Sequence, residues 1–384
     1  MRITGIVAEY NPFHNGHAYQ IASARELCGA DYIVCVMSGS FVQRGGPAIC
    51  NKWARAKASL MGGADLVIEL PVVYSAQSAE YFAMGAVELL NAVGADFISF
   101  GAEDDDTESL TAAARLLISE PKEFKDLLSD ALDRGDSFPK ARAAAAKELG
   151  VGGVLSSPNN ILGVEYIKAM LKTSSKMVAV PVKRKGSQHD KAGSASYIRG
   201  VGIDFAREYM PDFSYNIVKE EEGAGRAPVD IGAVESAIVS RIRLASTEWL
   251  AGISGVAEGL ENRLKKGALL YPTIDAITDY VKTKRYTHSR IRRIMVNILL
   301  GIRADDIGKS PEYIRVLGMN ERGMTVLKKI KKQGTLPVIT KTANAPESRM
   351  MNLDLASTDI YSLMYPAVSE RRGGLDMTTS PVIL

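Results

Sequence analysis

Apolar positions in the first hundred residues cluster into short runs set between amphipathic stretches. The opening run is Ile3 to Ala8. Three further runs each follow the same tripeptide: Gly29-Ala30-Asp31 before Tyr32-Ile33-Val34-Cys35-Val36, Gly63-Ala64-Asp65 before Leu66-Val67-Ile68-Glu69-Leu70, and Gly94-Ala95-Asp96 before Phe97-Ile98-Ser99-Phe100. Glycine just past a helix end enters the left-handed region without a Cβ penalty. Short β-branched or aromatic runs, apolar on both faces, are the pattern of buried parallel strands. Helical stretches lie between them: His17 to Cys28, Asn51 to Met61 and Ser78 to Val93. The order β-α-β-α-β-α-β predicts an α/β fold with a parallel sheet and right-handed crossovers.

Residues 107 to 149 read as an Ala-rich helical insertion. A Gly/Ser/Pro/Asn loop, Gly150 to Asn160, leads to a helix from about Gly163 to Lys172, and the run Met177 to Val182 returns to the sheet. Beyond about residue 215 long helical segments take over: Asp230 to Leu250, Val256 to Lys266, Thr273 to Lys284 and His288 to Ile302. Two domains are expected, an α/β domain over residues 1–212 and a mainly helical, basic one over 213–384. The acidic run Glu220-Glu221-Glu222-Gly223 near their junction is expected to be a solvated linker.

Composition narrows the setting. The 384 residues are 46% hydrophobic and 24% charged, and no stretch nears the ~18 consecutive apolar residues of a membrane span. One Arg and a six-residue apolar run followed by Glu9 do not make a secretory signal. Three cysteines, Cys28, Cys35 and Cys50, contain no CxxC pair and fit neither a disulfide framework nor a zinc cage. A reducing cytoplasm and no membrane association are therefore expected. The net charge of +3 hides an asymmetry. Between Val281 and Lys332 fourteen Lys/Arg stand against four acids, which is +10 in one segment and leaves −7 for the rest. Charge gathered this way suggests a polyanion, nucleic acid first, or else a set of solvated helix faces.

The chemistry-bearing residues lie just after the first strand. Glu9-Tyr10-Asn11-Pro12-Phe13-His14-Asn15-Gly16-His17 places two of the chain's four histidines three apart around a glycine, where a helix begins. Positions three apart share a helix face. The glycine lets backbone approach a ligand, and a helix N-terminus offers free N–H groups with partial positive charge. This suits an anion whose charge grows during reaction, such as a nucleoside triphosphate attacked at its α-phosphorus. A chance pair of histidines or a metal pair is the competing reading. Against it, the carboxyl end of the first strand is where parallel sheets bind ligands.

These residues resemble a known superfamily. His14-Asn15-Gly16-His17 is similar to the HxGH form of the HIGH motif of nucleotidyltransferases and class I aminoacyl-tRNA synthetases. A second signature of that superfamily, ISSTxIR-like, has its counterpart in Gly193-Ser194-Ala195-Ser196-Tyr197-Ile198-Arg199, with departures at Gly193 and Ala195. Ser196 and Arg199 would there hold β- and γ-phosphates. Longer blocks resemble the bacterial tRNA(Met) cytidine acetate ligase family. They are Gly5 to His17, Met37-Ser38-Gly39-Ser40-Phe41-Val42-Gln43-Arg44-Gly45, Ser157-Pro158-Asn159-Asn160-Ile161-Leu162-Gly163 and Arg285-Tyr286-Thr287-His288-Ser289-Arg290-Ile291-Arg292-Arg293.

The resemblance implies a Rossmann-like, HIGH-type nucleotidyltransferase sheet and an ATP-dependent ligase. Acetate and ATP would give acetyl-adenylate, and the acetyl group would pass to the wobble cytidine of elongator tRNA(Met). It implies ATP contacts at Val7-Ala8-Glu9-Tyr10-Asn11-Pro12-Phe13-His14-Asn15-Gly16-His17-Ala18-Tyr19-Gln20, Gly101, Asn160 and Arg184. Asn159 is an alternative to Asn160, and a helix N-cap is the competing reading of Asn160. His14 and His17 would stabilise charge on the α-phosphate and leaving pyrophosphate, with acetate itself as nucleophile. Arg285, Arg290, Arg292 and Arg293 would meet tRNA phosphates, and Arg44, Lys52 and Arg55 are further candidates for tRNA or phosphate. His189 beside Asp190 is left out, since neighbours in sequence rarely face each other. Magnesium is expected only as a companion of ATP phosphates, no metal site is assigned, and no stable protein partner is expected. A small-molecule adenylyl- or cytidylyltransferase is the main alternative, and an RNA-binding protein with a decayed site is a third.

Overall fold

The computed structural model describes residues 1–103, 105–184, 193–283 and 286–384. Strands β1 (Ile3–Ala8) and β2 (Tyr32–Ser38) are followed by a small hairpin, β3 (Phe41–Val42) with β4 (Gly46–Pro47). Then come β5 (Leu66–Leu70), β6 (Phe97–Ala102), β7 (Val178–Lys183), β8 (Ile314–Met319), β9 (Val338–Ile339) and β10 (Val382–Ile383). The helices of the first half are α1 (Asn15–Leu27), α2 (Lys52–Met61), α3 (Val72–Ser75), α4 (Ala79–Val93), α5 (Thr107–Ser119), α6 (Lys122–Asp133), α7 (Phe138–Glu148), α8 (Pro158–Lys172) and α9 (Ala195–Val201). Those of the second are α10 (Asp212–Gly223), α11 (Glu235–Leu244), α12 (Thr247–Ala251), α13 (Leu260–Leu270), α14 (Ile274–Val281), α15 (His288–Leu300), α16 (Glu321–Gln333), α17 (Arg349–Ser362) and α18 (Leu375–Thr378).

The main sheet runs β10-β8-β5-β2-β1-β6-β7, with β9 beside β8. From β5 across to β7 all pairings are parallel, as the buried apolar runs predict. The chain builds outward from β1 through β2 to β5, then returns to the other side of β1 for β6 and β7. The carboxyl end of β1 is thus the switch point where such sheets open a crevice. Successive side chains of a strand point to opposite faces. Ile3, Val7, Val34, Val36, Leu66 and Ile68 pack on one face with residues of α4 and α8, while Ile6, Ala8, Ile33, Cys35, Met37 and Val67 pack on the other under α1 and α2. Among the described residues no helix is long and apolar enough to cross a membrane.

Several elements differ from the sequence expectation. The segment after 213 is mostly helical, yet it returns three strands to the sheet, and β8 runs antiparallel to β5. The sheet therefore spans the expected boundary at 212/213. The acidic run 220–223 is the end of α10 rather than a linker, because Glu221 pairs with Arg226 at 2.9 Å and accepts from Asn51 at 2.5 Å. Helix α8 starts at Pro158, not Gly163, since Pro at the first helical position needs no amide partner. The stretch 230–250 breaks at Ser246, whose side chain accepts the Trp249 N–H and caps a new helix. Helix α13 begins only after Gly259, at φ 79°.

Where β5 meets β8 a charged cluster is sealed inside. Lys52 Nζ lies 2.8 Å from both Glu69 and Asp376, and Arg315 lies 3.3 Å from Glu69 and 2.7 Å from Asp376. All four are 4% exposed or less, so the charges are held by one another instead of by water. Tyr313 donates to Asp354 at 2.6 Å beside them, and burial with the Glu69 charge pushes the Asp354 carboxyl up to about 7.

Candidate active site

The turn after β1 is sharply shaped. Tyr10 takes a positive φ of 46° and the Asn11–Pro12 bond is cis. Tyr10 and Phe13 point inward, their ring centroids 4.9 Å apart, and the Tyr10 hydroxyl lies 3.3 Å from the Cys35 Sγ. Asn11 Oδ1 accepts the Ile49 N–H at 2.7 Å. From the stretch 7–20, Val7, Ala8, Tyr10, Asn11, Pro12 and Phe13 are thus buried framework, and residues from His14 to Gln20 form the first turns of α1.

His14 is the N-cap of α1, an unusual residue for that place. Its Nδ1 accepts the Gly16 N–H at 3.1 Å, and His17 Nδ1 accepts the His14 N–H at 3.2 Å, which is a capping box made of two histidines. The rings stack with centroids 3.6 Å apart and 25° between planes. Burial, then the Arg184 and Arg199 charges, push His14 down to about 4. Burial, then His14 and Arg184, hold His17 well below the usual histidine range. Both imidazoles are therefore neutral near pH 7. With each Nδ1 accepting a backbone N–H, the ring proton of each sits on Nε2, a donor. A Cβ on Gly16 would sit 2.9 Å from His14 Cε1, so glycine is needed for the ring as well as for close backbone approach.

Cations gather around this turn. Arg199, on α9, donates to the Asn11 carbonyl and to Ser196 Oγ at 3.3 Å. Arg44, at the tip of the β3–β4 hairpin, reaches the same Ser196 Oγ at 3.5 Å. Ser194 caps α9 by accepting the Tyr197 N–H at 3.2 Å. The Glu9 carboxylate lies among these groups: its Oε1 accepts the Gln43 N–H at 2.9 Å, and Arg199, Arg44 and Arg55 act on its charge.

On the other flank, Gly101 in β6 lies under the Arg184 stem, 3.6 Å from where a Cβ would be. Arg184 meets Asn159 at 3.4 Å. Asn160 Oδ1 accepts the Glu103 N–H at 3.0 Å, while the Glu103 carboxylate accepts from Ser157 at 2.8 Å, from the Asn160 N–H at 3.2 Å and from Asn159. Glu103 thus caps α8 from across the site. Neither Glu103 nor Gln43 was picked out from sequence. For Glu103 the available signal was its place just past the carboxyl end of β6.

The structure brings His14, His17, Arg184, Ser196, Arg199 and Glu9 to one place. Two further candidates are corrected. Arg55 is 1% exposed and donates to the carbonyls of Glu9, Ser38, Gly39 and Cys50, and Lys52 belongs to the buried cluster, so neither is a surface contact for phosphates. Arg285, with His189 and Asp190, lies outside the described residues. On α15, Arg292 is 55% exposed, 3.7 Å from Asp275. Arg290 lies over the Tyr286 ring and donates to the Gly255 carbonyl at 3.1 Å. Arg293 is turned inward, donating to the Gln43 carbonyl at 3.3 Å, and burial followed by the Arg290 charge lowers it to about 10. The three cysteines are buried and unpaired with one another.

Comparison with known proteins gives the family of the chain. The HIGH Nucleotidyl Transferase family matches residues 1–376. The chain is 38% identical to the tRNA(Met) cytidine acetate ligase of Acetivibrio thermocellus over the whole of both chains. It is 42% identical to that of Caldanaerobacter subterraneus subsp. tengcongensis, over 95% of this chain and 96% of the relative. The crystal structure of Thermotoga maritima TmcAL bound with alpha-thio ATP superposes with a TM-score of 0.92 over all of both chains, at 36% identity. The chain belongs to the tRNA(Met) cytidine acetate ligase family of HIGH nucleotidyltransferases.

Proposed function

We propose that this protein is an ATP-dependent ligase that activates acetate as acetyl-adenylate and acetylates N4 of the wobble cytidine of elongator tRNA(Met). The observation that carries this reading is the neutral His14–His17 pair at the N-terminus of α1, flanked by Arg184 and Arg199. In the first step an acetate oxygen attacks the α-phosphorus and pyrophosphate leaves. Negative charge grows on the α-phosphate and on the leaving oxygens, where two fixed Nε2–H donors and the helix N-terminus stabilise it. Neutral imidazoles donate without carrying charge that must be desolvated anew in each cycle. Arg184, Arg199 and Ser196 would hold β- and γ-phosphates, Gly101 would lie against adenosine, and Asn160 would keep that strand end in place. Magnesium would arrive on the nucleotide's own phosphates. Among the described residues no three His, Cys, Asp or Glu side chains converge on one point, and no step here is routed through a metal.

In the second step the acetyl group moves to RNA and AMP departs. The exposed Arg292, with Arg290 beside it, is placed to meet tRNA phosphates, and a tRNA substrate puts the enzyme in the cytoplasm. The test uses two labels. With labelled acetate, label should enter an elongator tRNA(Met) transcript as N4-acetylcytidine while AMP is released. With α-labelled ATP, no label should stay on RNA. Nucleotidylated RNA, or a nucleotidylated small molecule, would instead favour a nucleotidyltransferase.

A further inference from the structure

The acetyl-transfer step releases a proton that the histidine pair cannot take. The cytidine N4 lone pair attacks the carbonyl carbon of acetyl-adenylate, the bond from that carbon to the phosphate oxygen breaks, and AMP leaves with the electron pair. N4 must lose one proton on the way. In His14 and His17 each Nδ1 lone pair is already engaged by a backbone N–H, and each Nε2 carries hydrogen. Arg44, Arg184 and Arg199 are cations without an acceptor atom. Glu103 is engaged with Ser157, Asn159 and the Asn160 N–H as the cap of α8.

Resting on the ligase reading above, we propose that Glu9 is the general base of acetyl transfer, taking the proton from cytidine N4. Glu9 directly follows β1 and opens the turn that leads to His14. One carboxylate oxygen is pinned by the Gln43 N–H at 2.9 Å, which fixes its direction and leaves the second oxygen to accept a proton. The same residue is held at its other backbone group by Arg293, whose guanidinium donates to the Gln43 carbonyl at 3.3 Å. The groups facing Glu9 are Arg44 from the hairpin, Arg55 from α2, Arg199 from α9 and Tyr166 from α8. Burial raises the Glu9 carboxyl above the usual glutamate range, and the Gln43 N–H and the three arginines only partly offset this. A base with a raised pKa takes a proton more readily once ionised. After transfer the proton passes from Glu9 to solvent, which regenerates the carboxylate.

The experiment separates the two half-reactions of the full-length enzyme. Acetate-dependent exchange of labelled pyrophosphate into ATP, without tRNA, reads activation. Single-turnover transfer from preformed acetyl-adenylate to elongator tRNA(Met) reads the second step. Glu9→Gln keeps an acceptor for the Gln43 N–H, and a cooperative urea unfolding transition certifies its fold. Transfer should fall at least ~100-fold, as for a lost general base, and at least ~10-fold further than activation, which the same substitution weakens through the nucleotide-binding turn. The wild-type transfer rate should rise with pH through a limb above the usual glutamate range, and Glu9→Gln should lack it. Equal loss in both half-reactions, or transfer at the wild-type rate, would overturn the proposal. A wild-type enzyme that performs exchange but never acetylates tRNA would instead bring down the ligase reading itself.

Discussion

The Nδ1 atoms of His14 and His17 each accept a backbone N–H of the same helical turn, so one pair of side chains caps α1 while each ring keeps its proton on Nε2. The cap uses one ring nitrogen of each histidine and the proposed chemistry the other, and substitutions can pull them apart. His14→Ala loses the cap, about 1 kcal/mol of stability, together with one donor to the transition state. His14→Asn restores a good cap but not the donor in its place. Both variants should lose about 10²–10³-fold in acetate-dependent pyrophosphate exchange, while only the alanine variant melts earlier. Near-normal exchange in His14→Asn would remove this pair from the activation step.

The same burial makes the fold sensitive to acid. In the unfolded chain these histidines bind protons below about 6.5. In the folded protein His14 does so only near 4, and His17 well below 6.5. The unfolded state therefore binds more protons across the interval from about 6.5 down toward 4. The stability present above that interval is lost as pH falls, by about 1.4 kcal/mol per pH unit for each proton taken up. Urea midpoints should drop from pH 7 to pH 5, and less steeply in the double variant His14→Asn/His17→Asn. Parallel curves would place the acid sensitivity elsewhere.

Much of this was legible in sequence because it is local. Period and composition locate β1, β2, β5, β6 and the histidine turn, since buried parallel strands read as short apolar runs between glycine-ended helices. Strand β8 stayed hidden among basic helices because Arg315 interrupts its apolar run. That arginine is buried only because Glu69 and Asp376 come from distant segments to meet it. Charge is visible in a sequence, but its direction is not. Lys52, Arg55 and Arg293 read as surface cations and turn inward, and the Glu103–Asn160 link has no local signature at all.

If α15 meets tRNA as proposed, the orientation of its arginines sets the salt dependence of that binding. Arg292 is exposed, whereas Arg293 holds the hairpin. Arg292→Ala should reduce the slope of log affinity against log salt by roughly 0.7–0.9, one phosphate contact. Arg293→Ala should leave that slope nearly unchanged and slow acetyl transfer through loosening of Gln43. Filter binding at four salt concentrations with both variants decides this, and an unchanged slope for Arg292→Ala would make that side chain a solvated surface group.

Lys52 has a different kind of importance. Lys52→Met strands Glu69 and Asp376 with one cation, Arg315, between them, and should cost about 3–5 kcal/mol of unfolding free energy. Adding Asp376→Asn restores the charge balance and should recover part of the loss. Chemical denaturation of the three proteins provides the measurement. A single variant as stable as its parent would show that water reaches this cluster.

Strand β8 also carries a consequence for biosynthesis. On the ribosome, β1, β2, β5, β6 and β7 emerge long before the segment that completes their sheet. Until residues 314–319 arrive, β5 presents an open hydrogen-bonding edge, the kind of edge that recruits other chains. Glu69 and Lys52 must meanwhile wait for Arg315 and Asp376, the other two members of the finished cluster. The nascent chain accordingly carries an unpaired sheet edge until residues 314–319 are made. A chain stopped before residue 314 would keep every residue proposed to hold the nucleotide and still carry that open edge.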